Sequence, residues 1–238
     1  MNLVLLRDED WLDHNLVVLR DHRADHLRQL LKVEVGDSVR VGRIGGLRGE
    51  GLVVVMDAQG VQLQVHLDQA PPPRHRFDVV LALPRPKMLR RILRTVAEFG
   101  VCNLHLIHSA RVEKSYWQSP LLRADKLESA LLAGLERSRD TLPPRIQFHR
   151  RFRPFVEDVL PGLCGERPCW LADMGGSTAL AEVPPLPAVV MIGPEGGFVP
   201  FELELAESVI AQRVHLGGRI LSVDTALTAV LAQALPGS

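Results

Sequence analysis

The chain has 238 residues, 46% of them hydrophobic, with 28 basic and 28 acidic side chains. That length suits two modest domains or one large one, and no apolar run reaches the ~20 residues of a membrane span. The zero net charge conceals a strong asymmetry: 8 basic and 11 acidic residues in 1–73, 17 and 7 in 74–153, 3 and 10 in 154–238.

The N-terminal stretch carries Arg7, Asp8, Glu9 and Asp10 where a secretory leader would have its apolar core, so a cytoplasmic protein is expected. Cys102, Cys164 and Cys169 lack Cys-x-x-Cys spacing, which argues against a disulfide framework and against a zinc site. No metal is expected.

Residues 1–70 read as β-rich. Short runs around Val33 to Val41, Leu52 to Val55 and Val61 to Val65 alternate apolar and polar positions between frequent glycines, the pattern of a small closed or half-closed barrel. A short helix is expected over Ala24 to Leu31, capped by Asp21. The loop from Gly42 to Gly51 holds Arg43 and Arg48 and reads either as an RNA-contacting hairpin or as a plain mobile one. Residues 71–76 begin with three prolines and form a stiff linker between domains.

Residues 77–238 follow a different rhythm. Strand formers at Phe77 to Leu83 lead into a basic helix over Lys87 to Gly100, with Met88, Ile92, Val96 and Phe99 on one stripe and Lys87, Arg90, Arg91 and Arg94 elsewhere. Leu104 to Ile107 is the next strand, and this βαβ order predicts an α/β domain with a mainly parallel sheet. Arg111, Lys114, Tyr116 and Trp117 mix cations with aromatics, either to grip phosphate and stack a base or to pack on the helix expected over Leu121 to Arg137. Arg137 and Arg139 close that helix with positive charge. The basic excess of the middle third fits a polyanionic partner; a solvated basic face offset by the acidic C-terminal part is the alternative.

From Val189 to Leu235 the order is strand, glycine loop, helix, strand, second glycine loop, helix. Gly193 to Phe198 reads GPEGGF and Leu216 to Ala226 reads LGGRILSVDTA. Neither loop has the Lys-Ser or Lys-Thr of a phosphate loop, and Glu195 would repel a triphosphate. Paired glycine loops at the carboxyl ends of two strands instead let main-chain groups approach a flat polar ligand such as an adenine. Two ordinary tight turns are the bland alternative.

At these residues the chain resembles the RsmE family of SPOUT-class RNA methyltransferases. Further matches are Glu98-Phe99-Gly100-Val101, Glu136 with Arg139, Pro144-Arg145-Ile146 and, more weakly, His26 with Leu30-Leu31-Lys32. The resemblance implies S-adenosylmethionine-dependent methylation of uridine N3 in 16S ribosomal RNA of the small subunit. It also implies a homodimer, a trefoil-knotted domain over 77–238 and a PUA-like RNA-binding barrel over 1–70. Carried onto this sequence, it places the cofactor on Leu171, Ala172, Ile192, Gly193, Pro194, Glu195, Gly196, Gly197, Leu216, Gly217, Gly218, Ile220, Leu221, Thr225 and Ala226. Arg219 is the expected catalytic cation, its fork suited to a planar base edge. Asp224 either takes the N3 proton or caps the last helix beside Thr225. Lys87, Arg90, Arg91, Arg111, Lys114 and Arg139, with Arg43 and Arg48, are the expected RNA contacts. Gly218, Ser222 and Asp224 stand where the family usually has proline, arginine and glutamate. The lost arginine at Ser222 keeps open an RNA-binding protein whose cofactor site has lapsed.

Overall fold

The computed structural model describes residues 2–235, in two compact units. The first is built from residues up to 72 together with 132–143; the second holds 73–131 and the chain from 144 onward.

In the first unit, β1 (Val4–Leu6), β2 (Leu16–Leu19), the single turn α1 (His22–Asp25), β3 (Ser38–Arg43), β4 (Arg48–Asp57) and β5 (Gly60–Gln69) follow in order. The sheet runs β1-β3-β4-β5-β2, parallel at β1/β3 and antiparallel elsewhere. Val39 and Val41 of β3, Val53 of β4, and Val61, Leu63 and Val65 of β5 point inward in strict alternation, as a one-face-buried sheet requires. Among the described residues β1 and β2 do not pair with each other, so the sheet is a curled mixed one with two edges. Gly49 sits at a register shift; a Cβ there would lie 2.0 Å from the His66 carbonyl oxygen, so only glycine fits the bulge.

Asp21 caps α1 as expected, its carboxylate accepting from the Arg23 N–H at 3.0 Å. The helix continues as a wider turn over His26–Leu30. Arg23 itself is buried, bonded to Asp10 at 2.6 and 2.7 Å and to the Leu5 carbonyl. A charge this deep is tolerated because every face of the guanidinium meets an acceptor. Residues 132–143, kept with the C-terminal domain in the sequence reading, complete this unit. The Gly45 N–H donates to the Thr141 carbonyl at 2.8 Å, and Arg48 donates to the Arg139 carbonyl at 3.0 Å.

The second unit contains β6 (Phe77–Ala82), α2 (Pro86–Glu98), β7 (Asn103–Ile107), α3 (Ala124–Ser138), β8 (Arg145–His149), α4 (Phe152–Pro154), α5 (Leu160–Cys164), β9 (Cys169–Ala172), β10 (Thr178–Ala179), β11 (Ala188–Ile192), α6 (Pro200–Val209), β12 (Ala211–His215) and α7 (Val223–Ala232). The last two turns of α3, from Leu132 onward, belong to the first unit. Seven strands form a sheet ordered β10-β12-β9-β11-β6-β7-β8, parallel at every pairing. Every residue of β6 and β11 is buried, the signature of central strands in a parallel sheet covered on both faces.

His75, just before β6, ties this sheet to α7. Its Nδ1 accepts from the Phe77 N–H at 3.0 Å and its Nε2–H donates to the Leu231 carbonyl at 2.8 Å. Burial lowers its pKa, consistent with a neutral ring serving both as donor and as acceptor. In α7, Val223, Ala226, Leu227, Val230 and Leu231 are buried, whereas Thr225, Thr228 and Ala232 are exposed. The helix therefore has an outward face. No described helix is long and apolar enough to cross a membrane.

Candidate active site

Three neighbouring parallel strands, β12, β9 and β11, end together, and the segments leaving them enclose a cavity of about 470 Å³. Its walls are Ala172 to Met174 after β9, Ile192 to Gly197 after β11, and Leu216, Gly217, Arg219, Ile220 and Leu221 after β12, floored by Val223 and Ala226 of α7. The carboxyl ends of parallel strands are where open α/β sheets bind ligands.

Glycine is required here for identifiable reasons. Gly197 and Gly217 have φ of +72° and +100°, which L side chains rarely adopt. Gly176 is pressed against the strand-end backbone of β12: a Cβ would lie 2.6 Å from the Val214 carbonyl carbon. Gly193 is nearly as close to the returning loop, 3.1 Å from the Phe198 nitrogen.

The first glycine loop is clamped from outside. Glu202, in the first turn of α6, is 3% exposed. One carboxylate oxygen accepts from the Val199 N–H at 3.0 Å, the other from the Ala110 N–H at 2.7 Å. Negative charge at a helix N-terminus is also favoured by the helix dipole. Arg111, one of the expected RNA contacts, donates to the Gly196 carbonyl and so braces the cavity wall. Glu195 stands near Arg85 at 3.6 Å, and Phe198 packs on Phe152 with ring centroids 5.6 Å apart.

The second loop is anchored through Asp224. Its carboxylate accepts from Arg91 of α2 at 2.7 Å and from the Ser222 hydroxyl at 2.6 Å, while Ser222 and Thr225 hydroxyls lie 2.9 Å apart. The Ser222 bond and then the Arg91 bond hold the Asp224 pKa below the ordinary carboxylate value. Ser222 is the residue preceding α7, and its side chain makes no capping bond to the helix backbone.

Of the cofactor residues expected from sequence, Ala172, Ile192, Gly193, Pro194, Glu195, Gly196, Gly197, Leu216, Gly217, Ile220, Leu221 and Ala226 line the cavity, as does Arg219. Leu171 is buried inside β9, while Gly218 and Thr225 stand beside the cavity without lining it. Sequence reasoning missed Asp173, Met174 and Val223. The first two follow the end of β9, so the strand-end argument used for β11 and β12 would have found them.

The expected RNA residues divide differently. Lys87, Arg90 and Arg91 share α2, and Lys114 lies on the turn Lys114–Gln118. In the first unit, Arg43 pairs with Asp8 at 2.9 Å and sits over the Trp11 ring. Arg48 is bonded to two carbonyls, and Arg139 has φ of +57°. No group of three or more His, Cys, Asp or Glu side chains suited to a metal occurs among the described residues.

Residues 71–235 match the RNA methyltransferase domain family, and the chain belongs to that family. Among its relatives are proteins named ribosomal RNA small subunit methyltransferase E. That of Treponema pallidum is 28% identical over 99% of this chain and 91% of its own length, that of Synechocystis 29% identical over 91% and 72%. The fold is that of the ribosomal RNA small subunit methyltransferase E of Neisseria gonorrhoeae, solved with S-adenosyl methionine bound. Its TM-score is 0.76 at 20% identity, with 98% of this chain and 95% of that one covered. A methyltransferase structure from Legionella pneumophila, also with S-adenosyl methionine, has a TM-score of 0.77 at 16% identity over 97% and 95%.

Proposed function

We propose that this protein is an S-adenosylmethionine-dependent ribosomal RNA methyltransferase that modifies N3 of a uridine in 16S RNA. The observation that carries the reading is the cavity at the ends of β9, β11 and β12, formed largely from glycine-rich main chain, in a chain of the RNA methyltransferase family.

The residues present fit the cofactor. Ile192, Val223 and Ala226 offer apolar surface for an adenine ring, and the Gly193 to Gly197 and Leu216 to Leu221 segments offer main-chain donors and acceptors to its edge and ribose. Gly193 lets the loop fold tightly back on itself, since a Cβ there would press on the Gly197 and Phe198 backbone. When bound, the cofactor supplies an electrophilic methyl group on a sulfonium.

The protein's remaining task is to align the acceptor nitrogen with that methyl group and keep water out. Uracil N3 passes its proton to solvent water before the methyl transfer, and negative charge then spreads onto O2 and O4. Arg219, on the cavity wall, is assigned to stabilise that charge. Asp224 is assigned to hold Arg91 and the 216–222 segment rather than to take the proton, because two short hydrogen bonds favour its ionised form.

Several finer readings belong with this proposal: a trefoil knot in the parallel-sheet unit, a PUA-like character for the curled sheet, cytoplasmic residence, and a homodimer. The exposed Thr225, Thr228 and Ala232 of α7 support a close two-fold contact. The deciding experiment pairs calorimetric titration of S-adenosylmethionine with mass spectrometry of 16S nucleosides from cells lacking the protein. Saturable binding and loss of 3-methyluridine are expected; no binding heat, or persistence of the nucleoside, refutes the assignment.

A further inference from the structure

Helix α2 separates two recesses. On one flank Arg91 reaches Asp224, beside the cofactor cavity. On the other, a second cavity of about 300 Å³ is lined by Arg90 and Leu93 of α2, Leu121 of the turn Pro120–Leu122, and Lys126, Ser129 and Ala130 of α3. Consecutive helical residues point about 100° apart, so Arg90 and Arg91 address these two recesses from neighbouring positions.

We propose that this second cleft seats one backbone phosphate of the RNA strand whose base enters the cofactor cavity. The inference rests on the methyltransferase reading above and adds to it a site for the strand. Two cations and a hydroxyl converge on a space of suitable size, and the cleft walls are otherwise the apolar Leu93, Leu121 and Ala130. Arg90 is exposed and makes no ion pair among the described residues, whereas Arg91 is already held by Asp224. Lys126 is only loosely paired with Asp125 at 3.6 Å, and Asp125 is shared with Arg123 at 3.2 Å. Even with that carboxylate counted, the cleft remains positive.

A second feature of the same helix face points the same way. Lys87, Arg90, Arg91 and Arg94 fall within one arc of about 100° at 3.6 residues per turn, opposite the buried Leu89, Ile92, Leu93 and Val96. One turn beyond Arg90, the Arg94 Nε is buried without a hydrogen-bond partner. A polyanion laid across this stripe from one recess to the other would meet cations throughout. A planar guanidinium and a flexible ammonium together suit a phosphodiester better than either suits a base edge.

The test measures affinity for a 16S RNA fragment as a function of salt, for the full-length protein and for Arg90→Ala/Lys126→Ala. Losing one neutralised phosphate should weaken binding roughly five- to tenfold near physiological salt and reduce the log–log salt slope by about one. Affinity for S-adenosylmethionine should be unchanged. Ser129→Asp, which adds a carboxylate to the cleft and removes no cation, should weaken RNA binding in the same direction. Unchanged RNA affinity and slope in both variants overturn the proposal. So does saturable binding of inorganic pyrophosphate that the double variant abolishes while RNA affinity stays intact, since the cleft would then be a small-anion site. A wild-type protein that binds the fragment and methylates nothing refutes the enzymatic reading instead, and the binding comparison still decides the cleft.

Discussion

The Arg91 guanidinium and the Asp224 carboxylate meet at 2.7 Å, joining α2 to the first turn of α7 beside the cavity. This contact gives Asp224 a positioning role with a distinct kinetic signature. Asp224→Asn should weaken S-adenosylmethionine binding several-fold and lower kcat/KM in proportion, with the neutral-pH profile unchanged. A general base would behave otherwise, losing roughly 10²- to 10⁴-fold in kcat at unchanged cofactor affinity. Because the folded-state pKa is depressed, the ion pair contributes stability above the unfolded carboxylate pKa and loses it as pH falls through the folded value.

Arg219 is predicted to act on the transition state. Arg219→Ala should leave cofactor affinity nearly intact and reduce kcat about 10²- to 10³-fold, the range for removing one charge-stabilising donor. Single-turnover kinetics at saturating cofactor measure this. A fall confined to RNA affinity would assign Arg219 to binding alone.

Adjacent glycines in the second loop should respond oppositely to the same change. Gly217 has φ of +100°, while a Cβ on Gly218 would meet nothing within 4 Å and its φ is ordinary. Gly217→Ala should cost about 1–2 kcal/mol of local backbone strain, seen as roughly tenfold weaker cofactor binding by calorimetry. Gly218→Ala should be near neutral.

The buried Glu202 carboxylate satisfies two main-chain donors. Glu202→Ala leaves the Ala110 and Val199 N–H groups without their acceptor, at a cost of about 2–4 kcal/mol. Thermal melting should show the loss directly. Glu202→Gln, which can keep only one of the two bonds, should fall between.

His105 and His149 supply a pH signature outside the cavity. Their rings stack at 5.3 Å with one hydrogen bond of 3.0 Å between Nδ1 of His105 and Nε2 of His149. Burial, then the neighbouring His149, pushes the His105 pKa down to about 4 from 6.5. The folded state thus favours the neutral ring. Its contribution is complete above about pH 6.5 and is lost progressively as pH falls toward 4. Denaturant titrations across this window should show stability declining by on the order of 2–3 kcal/mol, and His105→Phe should flatten the slope.

Much of the second unit was readable because its signals are local. The strand-former run at Phe77 to Leu83, the amphipathic spacing of Met88, Ile92 and Val96, and the two glycine loops fix strand, helix and strand ends independently. The cavity followed from knowing that such strands are parallel. What escaped depends on contacts distant in sequence. Nothing near Arg111 in the sequence indicated that it would bond the Gly196 carbonyl. Arg48 likewise bonds a carbonyl 91 residues away, a partner that nothing local indicated. Asp224 read as a proton acceptor or as a cap beside Thr225, and only the folded chain brings Arg91 within its reach.

The passage of residues 132–143 into the first unit has a consequence for how the protein can be taken apart. The curled sheet draws a hydrogen-bonding partner, Thr141, from a stretch encoded long after the proline-rich junction. A single cut at that junction would strip the N-terminal fragment of a piece it needs. Recombination that transplanted the N-terminal fragment between relatives would therefore need two crossovers, with the late segment travelling alongside it.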